Sequence, residues 1–398
     1  MKRNLWIIMI LLLSVTTKAQ RIDIKDINRG MYSASALRTV TPLPDGESYA
    51  QISEDGKQVV SYAYKTGKQT GVLFDLANTK KIQLDDFDDY ILSPDGKKML
   101  IQTQTKRIYR HSFTAVYYIY NIETRLLEKL SDYGPQQVPV WSNDGQQVAF
   151  VRDNNIFLVK LLYDNAESQV TKDGVKNEII NGIPDWVYEE EFGFNSALAF
   201  NADGTMLCWV RFDESKVPQY SLQMYKGMRP EIHDNATYPG FYVYKYPKAG
   251  EVNSTVSVHS FDIQSRQTRT LQVPLDKDGY IPRLKATDDA ERMIVYTMNR
   301  HQDELNIYAV NPRSTVAKLL IQEKVDKYVK EEAMENILFT SNNILLPSDR
   351  DGSMQLYLYN KNGQLIRKVT DVKGEVSEVY GYDEKTETPT IRLQAKMP

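Results

Sequence analysis

The sequence predicts an all-β protein, a β-propeller built of four-stranded blades. Three observations lead there: a turn phrase that recurs along the chain, an excess of tyrosine among the aromatics, and the near absence of long amphipathic helical periodicity. The phrase appears as Ser53-Glu54-Asp55-Gly56, Ser93-Pro94-Asp95-Gly96, Ser142-Asn143-Asp144-Gly145 and Asn201-Ala202-Asp203-Gly204, with a looser copy at Thr287-Asp288-Asp289-Ala290. Each time an apolar residue closes one strand, Asp-Gly supplies positive φ, and an alternating run resumes, which is the pattern of a β-hairpin. Gly56, Gly96, Gly145 and Gly204 are 40, 49 and 59 residues apart, the spacing of a four-stranded blade with growing insertions. A sandwich would also give many short strands, but not the same turn at this period. Tyrosine contributes 26 residues against 12 phenylalanines and 4 tryptophans, which suits half-exposed strands because the ring packs while the hydroxyl reaches water.

Along the chain, residues 1–19 have the three parts of a secretory signal peptide. Lys2 and Arg3 are followed by an apolar run from Leu5 to Val15 and by Thr17-Lys18-Ala19. The run is shorter than the roughly 20 residues a membrane-spanning helix needs, so no stable membrane span is expected. The protein should be exported to the periplasm of a Gram-negative cell, with outer-membrane association or release to the medium as alternatives. Residues 20–385 read as the propeller. Two insertions interrupt its rhythm: 174–194, and 220–253, an arm rich in Tyr, Pro and Gly. Insertions are where a propeller carries function, because the blades themselves need only pack. Helical turns fit only 324–336 and the neighbourhood of Trp186. Residues 386–398 read as an atypical tail, where Pro389 interrupts the alternation.

Charge and composition exclude several functions. Lys plus Arg is 49 and Asp plus Glu is 52, with no basic block, so nucleic acid is not an expected partner. Cys208 is the only cysteine and the histidines number 4, so neither a disulfide, a metal site nor a cofactor is expected. No Gly-x-Ser-x-Gly, phosphate loop or His-Glu-x-x-His occurs in the sequence. No catalytic residue is therefore assigned within these residues.

Charge does stand in an unusual place at Asp185-Trp186-Val187-Tyr188-Glu189-Glu190-Glu191-Phe192. Three successive carboxylates lie among bulky apolar residues that would anchor the segment. Crowded like charges repel and raise one another's pKa unless they share a cation. A substrate ammonium is a suitable cation, since charge-assisted bonds are worth about 1.5–3 kcal/mol each.

This phrase resembles the double-Glu motif of dipeptidyl peptidase IV, the propeller-bearing branch of the prolyl oligopeptidase family. Two further phrases agree: Tyr109-Arg110-His111-Ser112-Phe113-Thr114-Ala115 and Tyr246-Pro247-Lys248-Ala249-Gly250-Glu251-Val252-Asn253. All three follow the family's order, and the resemblance runs from about Tyr32 to about Tyr382. It implies an eight-bladed propeller, here ending before closure, with the family's α/β-hydrolase domain and its Ser, Asp and His absent, so that these residues alone should be inactive. It implies that Glu190 and Glu191 bind the α-ammonium of a peptide with a free N-terminus, that Glu189 makes no substrate contact, and that Arg110 holds the carbonyl between the first two substrate residues. It further implies a serine dipeptidyl peptidase releasing Xaa-Pro or Xaa-Ala dipeptides, homodimeric through the 220–253 arm. The competing reading is a non-catalytic periplasmic propeller that binds peptides or a protein partner.

Overall fold

The computed structural model describes residues 22–34, 38–225 and 238–395. The expected signal peptide, 1–19, lies outside them, as does the tip of the arm. The chain divides into two compact units, 1–41 and 42–398. In the first, the short helix α1 (Ile24–Asn28) begins at Asp23, whose carboxylate accepts from the Lys25 N–H at 2.8 Å.

The second unit is a succession of antiparallel sheets. Among the described residues six sheets of four or five strands follow one another, a separate two-stranded hairpin leaves the fourth, and a two-stranded sheet follows the sixth. The six sheets are blades; the turn phrase builds the first four, and its looser copy the fifth. Ser53, Ser93 and Ser142 each donate their hydroxyl to the aspartate two residues on, at 2.6, 2.7 and 2.6 Å. The glycine N–H then closes on the serine carbonyl at 3.1, 2.9 and 2.9 Å. These glycines have φ of +70°, +70° and +63°, where a Cβ is costly. The flanking residues pair as hairpins require: Ile52 with Val59, Leu92 with Met99, Trp141 with Val148 and Phe200 with Leu207. Even the looser copy sets Ala286 opposite Met293.

Blades bury both faces of their middle strands against their neighbours. Met293–Met298 is buried at every position. Phe74, Met99 and Tyr120 fill the space between the first two blades, and Leu100, Tyr117 and Phe150 that between the second and third. A larger cluster runs from the third blade through the sixth. Cys208 sits in a middle strand with no exposed surface, where burial pushes its thiol up to about 12. Close blade packing also sets a stability test. Gly363, at φ +85°, lies so close to the Leu320 carbonyl of the neighbouring blade that a methyl has no room. Gly363→Ala should lower stability by about 2–4 kcal/mol, seen as a clear fall in Tm. Gly56→Ala, facing open space, should cost about 1 kcal/mol.

The fourth blade departs from the pattern. Its strand Met206–Asp213 is flanked on one side by two short strands: Ile179–Asn181 pairs near one end and Leu198–Phe200 near the other. Between them the chain leaves the sheet and returns, closed at its neck by Ala197 N–H on Gly182 O at 2.8 Å and Gly182 N–H on Val210 O at 3.1 Å. The acidic phrase lies on this excursion. The same blade emits the arm, whose strands Gln219–Met224 and Gly240–Lys245 pair from Gln219 with Lys245 to Met224 with Gly240.

Two expectations change. The helical region at 324–336 contracts to Glu331–Glu335; Lys324 ends a strand of the fifth blade, and 325–330 take no helical turn. The residues read as an atypical tail contain a strand, Thr388–Ala395, paired with Gly374–Asp383 from Asp383 opposite Thr388 to Gly374 opposite Ala395. Pro389 stands opposite Tyr382 in a strand that, among the described residues, pairs on one side only, a place where proline is tolerated. The strand's sequence does alternate, with Pro389, Ile391, Leu393 and Ala395 set between polar residues, but Pro389 reads as a strand breaker.

Candidate functional site

The acidic phrase folds into one short helix, α2 (Trp186–Glu191). Asp185 starts it, its carboxylate accepting from the Tyr188 N–H at 3.0 Å and from the Ser254 hydroxyl at 2.5 Å. Burial pushes the Asp185 carboxyl up, against the opposing pull of Ser254 and the N–H groups of Tyr188 and Val187. Phe192 ends the helix, its N–H returning to Tyr188 O at 3.2 Å. Tyr188 anchors the whole turn. It is 1% exposed, its ring meets Phe192, Phe212 and Tyr280, and its hydroxyl accepts from the Ile281 N–H at 3.0 Å.

Successive side chains on a helix point about 100° apart, so the three glutamates face three surroundings. Glu189 is buried, and one of its oxygens accepts from the N–H groups of His111 and Ser112, both at 2.8 Å. Glu190 is partly buried; it accepts from the Tyr109 hydroxyl at 2.9 Å and pairs with Arg110 Nε at 2.5 Å. Desolvation pushes Glu190 up, but the Tyr109 hydroxyl and the Arg110 guanidinium outweigh it and hold its carboxyl below the ordinary value. Glu191 takes no part in that pair. It is exposed, and lines a cavity of about 790 Å³ together with Trp186, Tyr246, Asn253, Tyr280 and Arg300. It also borders a second cavity of about 600 Å³ beside Glu331 and Glu332.

The three phrases therefore converge, although they lie far apart in sequence. Tyr109 and Arg110 reach the site from the second blade, on a loop further held by Asn195 Nδ2 donating to His111 O at 2.8 Å. Tyr246 packs its ring 4.2 Å from that of Trp186, and Asn253 donates to the Tyr280 hydroxyl at 2.9 Å. Arg110 and Glu190 are brought into contact, whereas Glu191 faces the cavity of about 790 Å³, which neither of them lines. The sequence assigned no role to Glu189, Tyr109 or Ser254, and their partners could not be seen because each lies on another segment. Asp185 was detectable as a capping residue ahead of a helical turn. Among the described residues no group of three or more His, Cys, Asp or Glu is arranged to hold a metal, and no helix is long and apolar enough to cross a membrane.

Residues 93–389 match the family model of the dipeptidyl peptidase IV (DPP IV) N-terminal region. The chain belongs to the dipeptidyl peptidase IV family. Its fold is similar to the crystal structure of Porphyromonas gingivalis dipeptidyl peptidase 4, with a TM-score of 0.87 and 38% identity, covering 92% of this chain and 52% of that one. It is 35% identical over 240 residues to the Emericella nidulans protein named "Probable dipeptidyl-aminopeptidase B", covering 57% of this chain and 26% of the relative. To Aspergillus niger dipeptidyl-aminopeptidase B it is 33% identical over 245 residues, 58% of this chain and 27% of that relative. The chain thus spans about half the length of the matched dipeptidyl peptidase structure and about a quarter of these curated relatives. The matched region holds Arg110, α2 and the 246–253 phrase, so all three sequence phrases belong to the DPP IV N-terminal region.

Proposed function

We propose that this chain is the substrate-reading propeller of an exported, periplasmic serine dipeptidyl aminopeptidase that releases Xaa-Pro or Xaa-Ala dipeptides. The observation that carries the reading is α2 itself, which sets Glu190 against Arg110 and turns the adjacent Glu191 to a cavity of about 790 Å³. A peptide's α-ammonium would lie against Glu190 and Glu191. The carbonyl after its first residue would accept from Arg110, whose contact with Glu190 uses the inner nitrogen Nε; the terminal nitrogens extend beyond it and offer further donors. Fixing both groups sets the depth of the chain end, and hence which peptide bond meets the nucleophile. The nucleophilic serine and its partners would come from the part of the relatives' length that this chain does not match. The propeller body would restrict entry to slender chain ends.

The reading is tested by joining this chain to the C-terminal half of the P. gingivalis relative and assaying a Xaa-Pro chromogenic substrate. The fusion should cut the free-amine substrate and spare its N-acetylated form; equal cleavage of both would remove the ammonium clamp. The pH dependence carries a sign. Glu190 is held below the ordinary carboxylate value and stays charged across the neutral range, whereas a peptide's α-amino group loses its charge near pH 8. Hence kcat/KM should fall as pH rises through about 8, and the falling limb should shift with the amine pKa of the substrate used.

We further propose that the arm packs on a second subunit. Tyr225, Tyr238 and Phe241 are 52%, 79% and 65% exposed on it, more aromatic surface than a solvated hairpin retains without a partner. Removing residues 227–240 should convert a dimer to a monomer in light scattering; an unchanged mass would refute the arm contact.

A further inference from the structure

Another cavity, of about 400 Å³, meets α2 at Asp185, Trp186 and Glu189, and Glu191 does not line it. Its walls are mainly apolar and aromatic, drawn from the second blade (Tyr109), the fourth (Ile180) and the arm (Leu222, Met224, Tyr244). Polar groups converge in it, and most of them are already engaged. Asp185 serves the Tyr188 N–H and Ser254; Glu189 serves the amides of His111 and Ser112. Lys245 donates to the carbonyls of Ser215 and Val217 at 3.2 and 2.8 Å, and Lys176 is exposed.

Two groups are not engaged. Glu214, also lining the cavity, is 6% exposed, and among the described residues no hydrogen bond reaches its carboxylate. The indole N–H of Trp186 is buried without a partner. A carboxylate on a residue this buried, facing a cavity without a hydrogen-bond partner, is costly, and native structures rarely keep one without a use.

We propose that this cavity is a second ligand site, taking a small primary amine on an aromatic or branched apolar frame, with the ammonium on Glu214 and the frame against Trp186 and Tyr244. The volume falls at the lower end of small-molecule pockets, and an apolar lining with few fixed polar groups is their usual make-up. The aromatic walls favour a cation as well as an apolar body. Desolvation, with Asp185 beside it, pushes Glu214 up to about 7 against the pull of Lys245. A bound ammonium favours the charged carboxylate, so binding near neutrality expels a proton. This site stands whether or not the dipeptide reading holds, because none of its polar contacts belongs to Glu190, Glu191 or Arg110.

The test is calorimetric titration of the purified chain with 2-phenylethylamine, using 2-phenylethanol as the uncharged control and two buffers of different ionisation enthalpy. The amine should bind with proton release and the alcohol at least about tenfold more weakly. Glu214→Gln should weaken the amine by about tenfold or more, while the Glu190→Gln, Glu191→Gln double variant should bind it as the unaltered chain does. Leu222→Trp, which fills the cavity from the arm without touching a charge, should abolish binding. The proposal is overturned if the double variant loses the amine and Glu214→Gln keeps it, for the amine then sits on the clamp. Undiminished binding by Leu222→Trp, equal binding of the alcohol, or no binding at low millimolar amine would overturn it as well.

Discussion

Glu190→Ala, made in the fusion with the C-terminal half of the P. gingivalis relative, is expected to lower kcat/KM on a free-amine Xaa-Pro substrate by about two to three orders of magnitude. Part of this comes from the lost bond to the ammonium, about 1.5–3 kcal/mol, with each 1.4 kcal/mol equal to about tenfold. The rest comes from what Glu190 does within the protein. It is the partner of both Arg110 and the Tyr109 hydroxyl, so its removal leaves the guanidinium free to swing away from the place proposed for the substrate carbonyl. Glu191 is exposed and holds no such partner, so Glu191→Ala should cost only the first part, about ten- to a hundredfold. Both variants should keep their Tm. Equal losses, or a larger loss at Glu191, would show that Arg110 does not depend on Glu190.

Glu189→Ala should strike fold and site together. The carboxylate is 6% exposed and bridges the fourth blade to two backbone amides of the second. Its loss leaves two part-buried N–H groups without their partner, at about 1–2 kcal/mol each and about 2–4 kcal/mol in total, and releases the loop that presents Arg110. Tm and kcat/KM should both fall, and the amides of His111 and Ser112 should exchange hydrogen faster. Glu189→Gln retains an oxygen able to accept from both amides and should recover most of the Tm. A Glu189→Ala variant with unaltered Tm and activity would remove Glu189 from any positioning role. The family resemblance gives Glu189 no substrate contact; in the structure its carboxylate serves the amides of His111 and Ser112.

The blades were legible because their signal is local. Ser-x-Asp-Gly, an apolar residue before it and an alternating run after it all lie within about ten residues, and the turn geometry follows from them. The sixth blade was less visible, since Leu338–Phe339 and Asn343–Ser348 are joined through Thr340-Ser341-Asn342 without the phrase. The strand Thr388–Ala395 is hidden for another reason: its residues alternate polar and apolar, but Pro389 near its start reads as a break. At the site, residue identities were legible and their division of labour was not. Sequence places three glutamates in a row, but which one meets backbone, guanidinium or cavity depends on the rotation of α2. That rotation is fixed by Tyr188, Asp185 and Ser254, whose partners come from strands up to 93 residues away. Glu214 escaped notice entirely, because an acidic residue in Asp213-Glu214-Ser215-Lys216 reads as a solvated turn until the arm covers it.

Cys208, shut inside the fourth blade with its thiol pushed up to about 12, makes the native protein silent toward thiol-directed dyes. A cysteine introduced at an exposed position would then be the only one labelled, with no need to delete the original and disturb a packed strand. Tyr238 on the arm and Glu332 near α2 are exposed positions of this kind. Spin labels or fluorophores at such a pair would report the spacing of arm and clamp directly, with and without 2-phenylethylamine. The chain thereby carries a built-in blank for distance spectroscopy: one thiol, shielded while the blade stays folded, whose sudden modification on heating would also mark the moment that blade opens.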